Sequence, residues 1–174
     1  QTEEVALAGP ATVHVRFEGP SEGDADDDDS NGLDEVETEL VSMELVGTSS
    51  LGPLQVRESP TRASLGRIQE QANTQAGRLD LAPFAPSGMA DSFFDVFFDI
   101  TLGNQTFHTL QPAQLRTTIT HKPPAPGETY AHPQDQPIEL VDANGNPTGI
   151  LVIGAWHTPR PTLDFGDAPD KPYP

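Results

Sequence analysis

SFFDVFFDITLGNQTFHTL, residues 92–110, decides the fold class of this chain. Apolar and polar positions alternate through it. Phe94, Val96, Phe98, Ile100 and Leu102 fall on one face of an extended backbone, and Phe93, Asp95, Phe97, Asp99 and Thr101 fall on the other. The first face is core. Gly103-Asn104 then breaks the run with residues that tolerate positive φ, and an extended pattern resumes from Gln105 to Leu110, so the stretch predicts a hairpin.

The same alternation spreads outward. Val13, Val15 and Phe17 oppose His14, Arg16 and Glu18 in Thr12 to Phe17, and Val41, Met43 and Leu45 point inward from Glu39 to Val46. Leu54 to Glu58 and Leu115 to His121 read as shorter strands. Pro137 to Asp142 and Gly149 to Trp156 flank Asn144-Gly145, the dipeptide best suited to a type I′ turn, with Pro147 expected to end any tight ladder nearby. Helix evidence is confined to Ser64 to Thr74, where Gly66 and sparse apolar residues limit it to one or two turns. About eight strands separated by Pro/Gly turns predict an all-β chain: an antiparallel β-sandwich, jelly-roll-like or Ig-like, with very little helix. The expected organisation is an extended segment over residues 1–10, the sandwich over 11–158 with an acidic loop at 24–37, and a Pro-rich tail over 159–174.

Charge narrows the function. The chain has 174 residues, with 27 Asp+Glu against 9 Lys+Arg, for a net charge of −18. Nucleic-acid phosphates and anionic membranes both need clustered Lys and Arg, so neither is an expected partner; cations are. With 15 Gly and 18 Pro the chain is loop-rich, yet below the level of low-complexity disorder. Zero cysteines exclude disulfides, thiolate zinc sites and cysteine nucleophiles. No apolar run is long enough to span a bilayer and no signal peptide opens the chain, so no membrane span is expected.

The chemistry lies in one segment. Between Arg16 and Arg57 there is no basic residue but there are twelve acids. Within them, DDDSNGLDEVE (Asp27 to Glu37) sets Asp27, Asp29 and Asn31 at alternate positions, followed by Gly32 and an apolar Leu33. This spacing resembles the calcium loops of the EF-hand and of aspartate-rich repeats in secreted proteins. Calcium takes six to eight oxygens at about 2.3–2.6 Å, and alternate short side chains aim oxygens at one centre when a Gly turns the chain sharply. By this resemblance Asp27, Asp29 and Asn31 give side-chain oxygens, Leu33 its carbonyl, and Glu35 or Asp34 completes the shell. Thr38 stands where an EF-hand carries its bidentate glutamate, and the flanks are strand-like, so the expectation is a Ca2+ loop grafted onto a β-fold. Asp24, Asp26 and Asp28 offer carboxylates for a second ion. The competing reading is a solvated acidic loop with a diffuse ion atmosphere.

Other candidates are sparser. Asp95 and Asp99 are about 13 Å apart along a strand, too far for a glycosidase pair. The five histidines lack the spacing of a zinc site, and no nucleophile elbow or phosphate loop is present. Trp156 and Tyr130 are candidates for stacking on a sugar ring. Asn104-Gln105-Thr106 is a glycosylation sequon in the expected turn.

Several stretches resemble one kind of module. EGDADDDDSNGLDEVETELVSMEL (22–45), GMADSFFDVFFDI (88–100), ITHKPPAPGETY (119–130) and VDANGNPTG (141–149) are similar to a repeat in very large, multi-module, adhesin-like secreted proteins of bacteria. LDFGDAPD (163–170) looks like the opening of the next module. The resemblance implies export to the cell surface, tandem or polymeric context and calcium-rich surroundings, and it carries no catalytic role. The expected function is therefore a non-enzymatic, calcium-stabilised extracellular structural or adhesion module, with neighbouring copies as partners; the alternative is a carbohydrate-binding module. Val5 and Leu7 are candidates for strand addition to a neighbour's edge. Asp164, Asp167 and Asp170 would line one side of a polyproline II tail.

Overall fold

The computed structural model describes residues 1–160; Asp164, Asp167 and Asp170 lie outside the described residues. Among the described residues the chain is all-β: β1 Leu7–Ala8, β2 Ala11–Arg16, β3 Glu35–Ser49, β4 Gly52–Glu58, β5 Ser64–Glu70, β6 Ala90–Val96, β7 Phe98–Leu102, β8 Gln105–Thr109, β9 Ala113–Ile119, β10 Tyr130–His132, β11 Ile138–Val141, β12 Pro147–Val152 and β13 Ala155–His157. They pair antiparallel in the order β12-β11-β8-β7-β4-β3-β5-β6-β9-β10-β13, with β1 and β2 added to β3. No helix among the described residues is long and apolar enough to cross a membrane.

The long strand β3 joins two halves. Its first part pairs with β2 and β5, its last part with β1 and β4. The halves face each other like a sandwich: Leu40, Val96 and Ala113 from one pack with Val56, Ile138 and Leu140 from the other in a single buried cluster. A second cluster, built on Val36, Ile68, Ala90, Ile119 and Tyr130, is closed by Leu79 and Leu81 of the β5–β6 connection.

β3 serves both halves because it changes parity. Thr12 pairs with Ser42 while its neighbour Val13 pairs with Leu40, so Val41 is the extra residue of a bulge. Before it Val36, Thr38 and Leu40 are buried on one face and Glu35 on the other; after it Met43 and Leu45 pack on the core. The expected inward set thus holds for Met43 and Leu45, whereas Leu40, not Val41, fills the core at the bulge.

Phe93 to Leu102 is broken at Phe97, between β6 and β7, with its core face retained: Val96 and Phe98 are buried, and Phe94 and Ile100 pack against them. The opposite-face aromatics are covered by guanidinium groups, Arg62 over Phe97 and both Arg67 and Arg116 over Phe93. Leu102 pairs with Gln105 across Gly103-Asn104, and Gly103 at φ 60° makes this a II′-like hairpin turn.

Three expectations are corrected. Ser64 to Thr74 is not a helix: Ser64–Glu70 is β5, central between β3 and β6. Ser64, Ile68 and Glu70 are buried on strand parity, and a Cβ on Gly66 would collide with the Phe93 carbonyl oxygen. The Asn144-Gly145 turn is not type I′, since only Gly145 takes positive φ. Gly145 N donates to Asp142 O (3.0 Å), and the Asp142 carboxylate accepts from Asn144 N (2.8 Å) and Asn146 N (2.9 Å), which favours a type I turn with a left-handed Gly. Gly149 to Trp156 is split between β12 and β13, at opposite ends of the strand order, and Pro147 begins β12, where an edge strand tolerates it.

Candidate metal centre

The acidic loop folds over the outer face of β3 and β5. Asp26 pairs with Glu35 (Glu35 N to Asp26 O, 2.9 Å), which brings residues 27–33 back across the start of β3. The turn is built by the aspartates themselves. Asp27 accepts from Asn31 N at 2.9 Å and from Gly32 N at 2.8 Å, and Asp29 accepts from Asn31 N at 3.2 Å. Ser30 (φ 60°) and Gly32 (φ 87°) supply the left-handed conformations that reverse the chain.

This geometry gathers three carboxylates, those of Asp27, Asp29 and Glu35, with one oxygen from each within 4.8 Å of the others, a group able to hold a metal ion. Glu35 is its buried member, 1% exposed. One of its oxygens accepts from Gln69 Nε2 at 3.2 Å; the other, Oε1, is buried and accepts no hydrogen bond. A buried carboxylate oxygen without a donor is costly unless a cation compensates it, and the Arg67 guanidinium, 3.8 Å from Oε1, stands beyond hydrogen-bond reach.

The remaining expected ligands go elsewhere. Asn31 Oδ1 accepts from Leu33 N at 2.8 Å, a local Asx turn, and Asp26 Oδ1 accepts from Asp27 N at 3.0 Å. Asp28 is exposed. Asp34 has the opposite parity to Glu35: it is buried, and its Oδ2 accepts from Gly77 N (2.6 Å) and Arg78 N (3.2 Å). Asp24 lies 3.9 Å from Arg78 and also accepts from Ser21 N. Glu35, eight residues after Asp27, therefore closes the group in place of the more distant EF-hand glutamate.

Acids crowd the other side of Glu35. Desolvation, then the charges of Asp28, Glu37, Asp26 and Glu35, hold Glu18 above the ordinary glutamate range. Burial raises Glu58 and Glu70 as well. A raised carboxyl binds its proton more tightly in the folded state, so its contribution to stability grows as the pH falls through the raised value toward the ordinary one. In metal-free buffer the melting temperature is therefore expected to rise as the pH falls from neutrality toward the ordinary glutamate range, and because Glu18, Glu58 and Glu70 are not among the three grouped carboxylates the rise should persist with calcium present. Circular dichroism melts at each pH check this; a metal-free melting temperature that falls over the window contradicts it. At lower pH the trend reverses. Asp80 is held low by hydrogen bonds from Thr74 and Gln75 despite the opposing effect of burial, and Asp142 by those from Asn146, so their contributions are lost as the pH falls through their folded values.

Beneath the loop lies a network that sequence reasoning missed. Glu70, 1% exposed, accepts from Asp34 N at 2.9 Å through Oε1 and from Asp80 N at 2.8 Å through Oε2. Asp80 in turn accepts from Thr74 N and Gln75 N. Scattered acids in a strongly acidic sequence give no signal of this; only the core parity of Glu70, two residues after Ile68 on a strand, could have found it.

The other named residues fall outside the centre. Tyr130 is core, 5% exposed, with its hydroxyl 2.8 Å from Ser92 Oγ, and burial raises its pKa; it offers no platform to a sugar ring. Trp156 is 55% exposed on β13, an end strand of the order. Leu7 packs on its own chain's core and pairs with Gly47, while Val5 is half-buried beside it. Glu3 accepts from Ser50 N and Oγ, both at 2.7 Å, so the first segment docks in cis. Asp95 and Asp99 are each engaged by a neighbouring strand, Asp95 by Gln114 (3.0 Å) and Asp99 by His108 (2.8 Å).

No protein-family model matches the sequence, and no curated protein matches it significantly. Among solved structures the chain is similar to DynF from the dynemicin biosynthesis pathway of Micromonospora chersina, with a TM-score of 0.52 and 21% sequence identity over 72% of this chain. The match spans 56% of DynF, and at this identity the likeness is one of fold alone.

Proposed function

We propose that this chain is a non-enzymatic structural module of an extracellular, cell-surface or fibre-forming protein, whose acidic corner is held by calcium. One observation carries the metal: Asp27, Asp29 and Glu35 converge within 4.8 Å, and Glu35 Oε1 is buried without a hydrogen-bond donor. Oxygen-only ligands favour a hard cation, and the turn-borne, partly exposed aspartates suit the adaptable shell of calcium better than the rigid octahedron of magnesium. Backbone carbonyls and water would complete the coordination. The module context rests on the resemblance of four sequence stretches and on the strongly acidic composition.

The effect of one such site is moderate. A dissociation constant of about 10⁻⁴–10⁻³ M suits extracellular modules, and calcium at tenfold excess then contributes about 1.4 kcal/mol. For a chain of this length that is a melting-temperature rise of about 3–5 °C. Calorimetric titration of chelator-stripped protein with calcium chloride, paired with scanning calorimetry, is expected to show saturable binding in that range and the matching rise. Both should vanish in the double variant Asp27→Ala, Asp29→Ala. Titration without heat and a melting temperature indifferent to calcium would overturn the metal reading.

A further inference from the structure

Arg67 links the centre to the sheet. It lies on β5, opposite Glu37 of β3 and Phe93 of β6. Its Nη1 is 3.3 Å from Asp29 Oδ2 and 3.8 Å from Glu35 Oε1, so one guanidinium nitrogen addresses two of the three grouped carboxylates. Other arginines of these strands and loops are engaged elsewhere, Arg16 with Glu39 at 2.9 Å, Arg78 with Asp24 at 3.9 Å and Arg116 with Gln114 at 2.7 Å. The acidic run itself has no basic residue. Among the described residues, Arg67 is the cation ion-paired with this carboxylate group.

We infer that Arg67 is a built-in counter-ion that competes with the metal for Asp29 and Glu35, and so sets the calcium concentration at which the loop fills. This rests on the reading of the three carboxylates as a calcium site. A bound divalent ion draws those oxygens to about 2.3–2.6 Å and repels a positive charge a few ångströms away, so filling weakens the ion pairs of Arg67. The fold provides a resting place. The Arg67 guanidinium carbon is already 5.9 Å from the centroid of Phe93, a ring it shares with Arg116 at 5.8 Å, so giving up the carboxylates leaves it a cation–π contact. Without metal, the same guanidinium offsets part of the repulsion among Asp29, Glu35 and their acidic neighbours.

The test is calorimetric titration with calcium chloride at low ionic strength on the whole chain, its Arg67→Gln variant and its Arg67→Lys variant. Removing one unit charge beside a divalent ion is expected to tighten binding in Arg67→Gln about tenfold, with the ratio shrinking as salt is added. Arg67→Lys keeps the charge and should stay within about twofold of the parent. In chelator, Arg67→Gln should melt lower than the parent. Unchanged or weaker calcium binding by Arg67→Gln, while the parent binds, overturns the role of Arg67 and leaves the site standing. Failure of all three proteins to bind overturns the site and this inference with it. If Arg67→Gln does not fold, the parent's Arg67 side-chain NMR signals decide. They should shift in proportion to calcium saturation, and signals that stay fixed overturn the proposal.

Discussion

Glu70→Ala is expected to destabilise the domain by about 3–5 kcal/mol, the cost of removing a buried charged acceptor and leaving two buried donors without partners. The residue sits on β5 at the core side of the sheet, and its two oxygens accept from Asp34 N at 2.9 Å and Asp80 N at 2.8 Å. Those donors belong to different segments. One precedes β3 and the other lies in the β5–β6 connection that supplies Leu79 and Leu81 to the core. Glu70, Asp34 and Asp80 are all buried, so only a water trapped in the space left by the side chain could reach the two donors, and it would carry no charge. A melting temperature roughly 10 °C lower follows for a chain of this size. Glu70→Gln distinguishes acceptor chemistry from packing: the amide keeps the shape but offers one acceptor oxygen, so it should recover less than half of the loss. Denaturant unfolding of the three proteins measures this, and a loss below about 1 kcal/mol for Glu70→Ala would show the network to be dispensable.

That network also explains why part of the site was hidden in the sequence. Strand alternation was legible wherever one face is buried and the other wet, as from Phe94 to Ile100, because the pattern is local. It failed where a tertiary feature reset the parity. The bulge at Val41 exchanges the inward face of β3, and nothing in VETELVSMEL marks its position. Ser64 to Glu70 was unreadable as a strand for a related reason. Buried Ser64 and Glu70 replace apolar residues on its inner face, and Gly66 is required by the close approach of the neighbouring strand.

Within the acidic loop, the spacing of Asp27, Asp29 and Gly32 pointed to a turn that concentrates carboxylates, and the turn forms. Which acids share it depends on strand parity at Asp34 and Glu35. The loop crosses the outer face of the sheet, so Glu35 faces it and Asp34 turns inward to Gly77 and Arg78. Arg67 belongs to the same outer face through pairing between strands far apart in sequence, and no local motif could have named it.

Glu35→Gln should give opposite outcomes with and without metal. In chelator the variant is expected to be at least as stable as the parent. It removes a charge that is 1% exposed, has one oxygen without a hydrogen-bond donor and faces Asp26 across the strand pair, where like charges oppose each other; what it gives up is a 3.8 Å ion pair with Arg67, which keeps its closer partner Asp29 at 3.3 Å. The amide that replaces it can donate toward Asp27 or Asp29, whose oxygens lie within 4.8 Å of the carboxylate lost. With calcium the order inverts. A neutral amide still offers one oxygen, but without charge, and calcium affinity tracks the number of charged ligands, so binding should weaken by about tenfold or more and the calcium-dependent rise in melting temperature should be lost. The crossing of the two stability curves is the diagnostic. A residue that merely packs would lower stability equally in both conditions, and a metal ligand in an otherwise repulsive corner lowers it only where metal is present. Parallel curves, with Glu35→Gln less stable than the parent in chelator and in calcium alike, would reduce Glu35 to a structural acid and leave Asp27 and Asp29 as a pair too exposed to hold a divalent ion.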